Sequence, residues 1–313
     1  MYEKFYGLNE KPFEISPDPG FFFSSEKHRE GLAHLEYAIK EGKSFTVLTG
    51  EVGSGKTILV HKLLSRLNGS ARTAYIFNPI MGTGDFLEFI CRDLGMDVPE
   101  GISEGKLTAA LHDFLLQSCE KNEKVFLIID EAQAIPPDLL EMVRMLTNLE
   151  TSKKKLLNVI LLGQPELKGI LNQQRFRALK QRVTVRFDLK PLTRGETRDY
   201  ILYRIKKANS RNLRIFGQSA IGEIYRHSKG IPRLINIICD NALLTGFSRG
   251  TRNLDKGVIR EVARDLDIAQ MRQGWPKWRI AAVALSVASV IIFMIWLYGE
   301  KLAQLTGWRF ING

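Results

Sequence analysis

Five short apolar runs punctuate the chain up to Pro191, separated by stretches with helical spacing. The runs are 44–49 (SFTVLT), 73–77 (TAYIF), 124–129 (KVFLII), 157–162 (LNVILL) and 183–189 (VTVRFDL). The third and fourth are nearly continuous in apolar character. Strands of that kind are buried on both faces, which predicts a parallel sheet between two layers of helices. The fifth alternates and is partly polar, so it predicts an edge strand. Helical spacing marks 26–41, the segment after the first run, 85–94, 107–121, 137–150 and most of 165–179. Ser25 is the expected N-cap of the first helix, whose Leu32, Leu35 and Ile39 share a face. Residues 1–30, rich in aromatics and prolines, predict an irregular packed arm.

Beyond Pro191 the strand pattern stops. Helices are predicted over 195–208, 218–228, 232–247 and 256–267, a small all-α domain. Ile280–Tyr298 (IAAVALSVASVIIFMIWLY) is uncharged and long enough to cross a bilayer. Trp275 and Trp278 flank one end; Trp296, Tyr298 and Trp308 flank the other. Lys277 and Arg279 precede it, which places the N-terminal part in the cytoplasm. The expected organisation is an arm and first helix (1–43), a nucleotide-binding core (44–192), a helical lid (193–270), a single transmembrane helix (280–298) and a short external tail (299–313).

Composition changes little in this picture. The chain has 313 residues and a net charge of +11. That balance suits nucleic acid, anionic lipid or a phosphate ligand and chooses none of them. The three cysteines, Cys91, Cys119 and Cys239, are scattered and form no CxxC. Neither a disulfide framework nor a zinc site is indicated, and a reducing compartment is expected. The N-terminus lacks the apolar region of a cleavable signal peptide. His28 and His34 on the first helix have no clustered ligand set and are read as surface or packing residues.

The chemistry concentrates after the first strand. Gly50, Glu51, Val52, Gly53, Ser54, Gly55, Lys56 and Thr57 match G-x-x-x-x-G-K-[ST], and Ile58 continues into a helix. Backbone N–H groups of such a loop wrap a phosphate, and the helix N-terminus adds its positive end. Lys56 can reach the β- and γ-phosphates, and Thr57 offers a hydroxyl to Mg²⁺. Asp130 and Glu131 emerge from the carboxyl end of a buried strand, where open α/β sheets bind ligands. Asp130 can hold Mg²⁺ with Thr57; Glu131 can deprotonate an attacking water. A strand lies between loop and Asp-Glu pair in sequence, as in glutamate-bearing P-loop ATPases, and no guanine-reading N-K-x-D is present. Gln164, after the fourth strand, is either a γ-phosphate contact or a turn residue before Pro165.

Arg175, Arg177, Lys180, Arg182 and Arg186 cluster. They form a solvated basic face, a binder of nucleic acid or lipid headgroups, or the source of an arginine finger. Arg182, expected to open the edge strand, is the candidate finger for a neighbouring subunit. Arg233 follows Gly230-Ile231-Pro232 in the first turn of a helix, where a cation is unfavourable unless an anion such as a nucleotide phosphate compensates.

Together these residues resemble the AAA+ ATPases of the ASCE (glutamate-bearing) type, and more narrowly the ExeA/GspA-type family with its MshM-like and exosortase-associated members. The resemblance rests on Phe5-Tyr6-Gly7-Leu8, Pro12-Phe13, Pro17-Asp18-Pro19, Asp130-Glu131-Ala132-Gln133 and 144–150 (RMLTNLE). It continues through Gly163-Gln164-Pro165-Glu166-Leu167, Gln181-Arg182-Val183 and Gly230-Ile231-Pro232-Arg233, covering 1–268. It implies an ATP hydrolase that uses ATP and Mg²⁺. In it Lys56 and Thr57 are Walker A, Asp130 and Glu131 Walker B, Gln164 sensor 1, Arg182 the finger and Arg233 sensor 2. The arm is expected near the adenine. The implied partners are further copies in a ring, inner-membrane components of an export machine and the bilayer. The implied location is the bacterial inner membrane, single-pass, with the ATPase in the cytoplasm. A peptidoglycan-binding domain, which family members can carry after the membrane helix, is not expected in a tail of this length. The competing reading is a DNA-handling ATPase similar to transposition regulators; the expected membrane helix disfavours nucleic acid as partner.

Overall fold

The computed structural model describes residues 1–267, apart from 17, 44, 68–70, 153 and 210–213. The chain divides into two compact units, Met1–Val262 and Ala263–Gly313, and the account below concerns the first. The five apolar runs become strands β1 (Phe45–Gly50), β2 (Ala71–Ile76), β3 (Lys124–Ile129), β4 (Leu157–Gly163) and β5 (Val185–Leu189). They form one sheet, ordered β2-β3-β4-β1-β5, with every pair parallel.

The period-2 geometry of a strand explains why continuous apolar runs were needed. On β3, Val125, Leu127 and Ile129 face one core, while Phe126 and Ile128 face the other. β5 lies at an edge, as its mixed pattern predicts. The strand between β1 and β3 in the sheet is not the one between them in sequence. β2 runs to the far edge, and β4 inserts beside both. The inference drawn from sequence order therefore named the wrong strand, although an inserted strand is present.

Helices fill the crossovers. The arm is less irregular than its composition predicts: it holds helix α1 (Tyr2–Tyr6) and a 3₁₀ turn (Pro19–Phe21). Then follow α2 (Glu26–Lys40), α3 (Lys56–Ser65), α4 (Thr83–Asp93), α5 (Glu104–Glu120), α6 (Pro137–Leu146), α7 (Glu166–Leu171) and α8 (Arg177–Arg182). Ser25 caps α2 by accepting from the His28 N–H, as expected. α2 and α3 cover one face of the sheet; α4, α5 and α6 cover the other. The segment expected to be mostly helical after Pro165 breaks into α7, a 3₁₀ turn and α8.

Among the described residues four helices follow β5: α9 (Arg194–Lys207), α10 (Gln218–Ser228), α11 (Pro232–Ser248) and α12 (Lys256–Asp265). Thr193 starts α9 with a complete capping box to Glu196. The join between sheet and helices is made by backbone. Leu192 N–H donates to the Gly230 carbonyl at 2.9 Å. Gly230 has φ +79°, and a Cβ there would lie 1.8 Å from the Leu192 carbonyl oxygen. The arm returns to this layer: Phe5 meets Phe247 edge-on, and the Tyr2 hydroxyl donates to Asp240.

The fold is thus an α/β P-loop NTPase sheet with a helical layer, and the expected C-terminal transmembrane helix is corrected. Among the described residues no helix is long and apolar enough to cross a membrane. The longest, α5 and α11, have 17 residues each, and α5 carries several charges. Ile280–Tyr298, on which that expectation rested, lies outside the described residues.

Candidate active site

β1 delivers the glycine-rich loop to the carboxyl edge of the sheet, and the loop closes onto α3. Gly53 has φ +74° and Gly55 φ +101°, which L side chains rarely adopt. Lys56 folds back over the loop: its Nζ donates to the Gly50 carbonyl at 2.9 Å and the Glu51 carbonyl at 3.1 Å. Burial lowers the Lys56 pKa, opposed by Glu131, Asp130 and Glu51 nearby. Ser54 N–H closes the turn on the Glu51 carbonyl at 3.1 Å.

β3 ends beside this loop. Asp130 is buried, and its Oδ2 accepts from Thr57 Oγ1 at 2.7 Å and from the Tyr75 hydroxyl at 3.0 Å. Burial first, then the Asp130 carboxylate, push the Tyr75 phenol pKa up. The paired oxygens of Thr57 and Asp130 are hard donors at a helix N-terminus, which fits magnesium. No cluster of three or more acidic, histidine or cysteine ligands exists among the described residues. Magnesium needs none, because it keeps waters and takes the rest of its shell from phosphates.

Glu131 turns out of the strand with φ +49°, a left-handed conformation for a non-glycine residue. Its Oε2 accepts from Gln133 Nε2 at 2.5 Å and from Gln164 Nε2 at 3.2 Å. Gln133 Oε1 in turn accepts from the Gln164 backbone N–H at 2.9 Å. Because β3 and β4 are neighbours, Gln164 sits next to Asp130 and Glu131. The amide therefore contacts the carboxylate beside the loop rather than serving only the turn.

Helix α11 reaches the loop from the other side. Arg233 N–H donates to the Gly53 carbonyl at 3.3 Å, and a Cβ on Gly53 would lie 2.4 Å from Arg233 Cβ. Arg233, Val52, Gly53, Gly55, Lys56, Thr57, Ile58, Asp130 and Glu131 line one cavity of about 450 Å³. The arm contributes Glu14–Ser16 and Phe21–Phe23 to the same cavity. Arg182 is not brought to it. Instead of opening β5, it ends α8 at the opposite edge of the sheet, with Nη1 donating to Thr147 Oγ1 at 2.9 Å. Helix α8 ends at Arg182 and β5 begins only at Val185, so the alternating pattern read from Val183 starts two residues before the strand itself.

Sequence reasoning passed over three groups. Gln133 was part of the resemblance but received no role. Tyr75 looked like an ordinary strand aromatic. His28, read as a surface or packing residue, is buried against the loop: its Nδ1 lies 2.7 Å from Ser25 Oγ, and its Nε2 stands beside Gly55. Burial lowers its pKa. Its helical spacing from Leu32 and Leu35 was the available signal.

A protein-family model described as "AAA domain" matches residues 39–171. General secretion pathway protein A of Aeromonas hydrophila is 40% identical over 284 residues, covering 91% of this chain and 52% of that protein. Among solved structures, Cdc6p from Pyrobaculum aerophilum superposes with a TM-score of 0.64 at 19% identity, over 80% of this chain and 71% of that chain. The Aeropyrum pernix ORC1 protein, solved in complex with DNA, gives 0.61 at 15% identity, over 97% and 84%. At such identities the solved structures show the fold alone. The chain spans about half the length of the secretion protein. With loop, carboxylate pair and sheet order in place, the match to that protein makes the chain a member of the ExeA/GspA-type AAA ATPases.

Proposed function

We propose that this protein binds and hydrolyses ATP to drive assembly or operation of a bacterial envelope secretion, pilus or exopolysaccharide export system. The observation that carries the reading is one convergence. Lys56, Thr57, Asp130, Glu131 and Gln164 meet at the carboxyl edge of the adjacent strands β1, β4 and β3. Backbone from Gly50 to Gly55 and Ile58 cradles the phosphates, and Lys56 leaves its two carbonyls for them. Thr57 and Asp130 hold magnesium, which when bound neutralises phosphate charge. Glu131 takes the proton of the attacking water, and Gln164 orients that water or the γ-phosphate. Arg233, already against Gly53, answers the nucleotide from the helical layer. Arg182 faces away from its own loop and serves a second copy, so the working form is an oligomer. The place of action is the cytoplasmic side of the inner membrane.

The test is ATP turnover by the full chain. Glu131→Gln should keep nucleotide binding and lose at least about a hundredfold in kcat. Unchanged turnover would remove Glu131 from the reaction. Crosslinking of the ATP-bound Glu131→Gln protein in cells should recover export-machine components. Recovery of DNA instead, with binding that weakens as salt rises, would favour the DNA-handling reading.

A further inference from the structure

The cavity has an end that the phosphate chemistry does not use. Asn236 lies one turn beyond Arg233 on α11, about 4.5 Å further along the axis from the loop contact. Its Oδ1 accepts from the Tyr200 hydroxyl at 2.8 Å, and its Nδ2 donates to the Glu14 carbonyl at 3.2 Å. The Tyr200 hydroxyl accepts from Arg204 Nη1 at 2.7 Å. Every donor in this relay points the same way, from Arg204 to a fixed carbonyl of the arm. The Asn236 amide and the Tyr200 hydroxyl therefore have one orientation each.

Arg204 stands at the head of the relay and is only 5% exposed. Its guanidinium lies over the Phe21 ring at 4.9 Å and lines the cavity. Its Nε is buried without an acceptor, and among the described residues no carboxylate forms an ion pair with it. A buried cation with an unmade hydrogen bond and no counter-charge is costly. That Nε is closed to the cavity, so a ligand would meet the terminal amino groups instead, and because an arginine has donors only the ligand must present an acceptor. The phosphates are held at the other end, by the loop and Lys56. Ile15, Phe22 and Leu192 line the same cavity and offer apolar surface to a flat ring.

We infer that Arg204 reads the base of the bound nucleotide, donating from its guanidinium to a ring-nitrogen acceptor of a purine. The inference rests on the nucleotide-binding reading above and adds the group that recognises the base. Tyr200 and Asn236 are positioning residues in it: they hold the guanidinium at the cavity wall. The relay also ties recognition to the arm, since its last acceptor is the Glu14 carbonyl. A purine seated on Arg204 thus fixes arm, α9 and α11 together.

Calorimetric titration of the full chain, with magnesium, tests this. The ligands are ADP, its 1-deaza, 3-deaza and 7-deaza analogues, and inorganic pyrophosphate, which has no base. One deaza analogue should bind the native protein about tenfold more weakly than ADP, and identifies the nitrogen. That penalty should vanish in Arg204→Met, while pyrophosphate affinity stays within about twofold of native. The inference is overturned if all three analogues match ADP, if the penalty survives in Arg204→Met, or if pyrophosphate binding falls along with ADP. The deaza series on the native chain needs no variant, and Arg204→Lys is the substitute should Arg204→Met not fold. A native chain that binds neither ADP nor pyrophosphate would sink the nucleotide reading itself, a result distinct from these.

Discussion

A Cβ at Gly55 would lie 2.8 Å from His28 Nε2, at a backbone angle of φ +101°. Strain and collision act together there, so Gly55→Ala should abolish nucleotide binding while leaving the distant helices folded; circular dichroism and ADP titration check both parts. His28 itself carries a pH prediction. Burial holds its folded pKa below the ordinary 6.5, so the neutral ring is the form the fold accommodates. Its contribution to stability is fully present above 6.5 and is lost as pH falls below that toward the depressed value. Melting temperature should therefore drop less between pH 7.5 and 5.5, roughly the range a histidine spans, in His28→Gln than in the native chain. At this scale the sequence was most informative where a residue type serves one chemistry. Lys56, Thr57 and Asp130 could be named because a spacing defines them. His28, Tyr75 and Gln133 could not, because their roles depend on contacts made between elements distant in sequence.

Among the elements, α9 begins with the Thr193–Glu196 capping box. Thr193→Ala should cost about 1 kcal/mol in urea unfolding. α10 and α12 are joined through Glu223, whose Oε1 accepts from Arg226 at 2.5 Å and from Arg260 at 2.7 Å. Burial pushes this carboxyl up, but the two arginines outweigh it and hold the pKa at about 2. Stability from this group is present above the ordinary 4.5 and is lost as pH falls from there through about 2. Acid unfolding of Glu223→Gln, followed by circular dichroism, should be shallower over that window than in the native chain. The same elements show what periodicity can and cannot resolve. α10 was legible to the residue, because polar turns bound an amphipathic run. β5 was placed too early, since alternation alone does not say where pairing with β1 starts. Sheet order was illegible too, because it depends on which crossover packs where.

For the molecule as a whole, the arrangement splits the proposed catalytic set. Arg182 lies before β5 and the loop lies after β1, at opposite ends of parallel strands. A strand of four steps already separates them by about 13 Å. If a second copy supplies Arg182, then Glu131→Gln and Arg182→Ala chains, each inactive alone, should regain turnover when mixed. Arg182→Ala alone should lose about a thousandfold in kcat. No recovery on mixing, across a range of ratios, would count against a shared site.

Gly230 sits where the sheet layer meets the helical layer. Its carbonyl receives Leu192, and nothing larger than hydrogen fits between the two main chains. Two rigid backbones in contact leave no compliant side chain to absorb motion. A tilt of the helices about this contact should therefore carry Arg233 across Gly53. Position 230 is in effect a calliper setting. Gly230→Ala should prise the jaws apart by roughly the width of a methyl group and loosen Arg233 from Gly53 without altering any side chain that holds the phosphates.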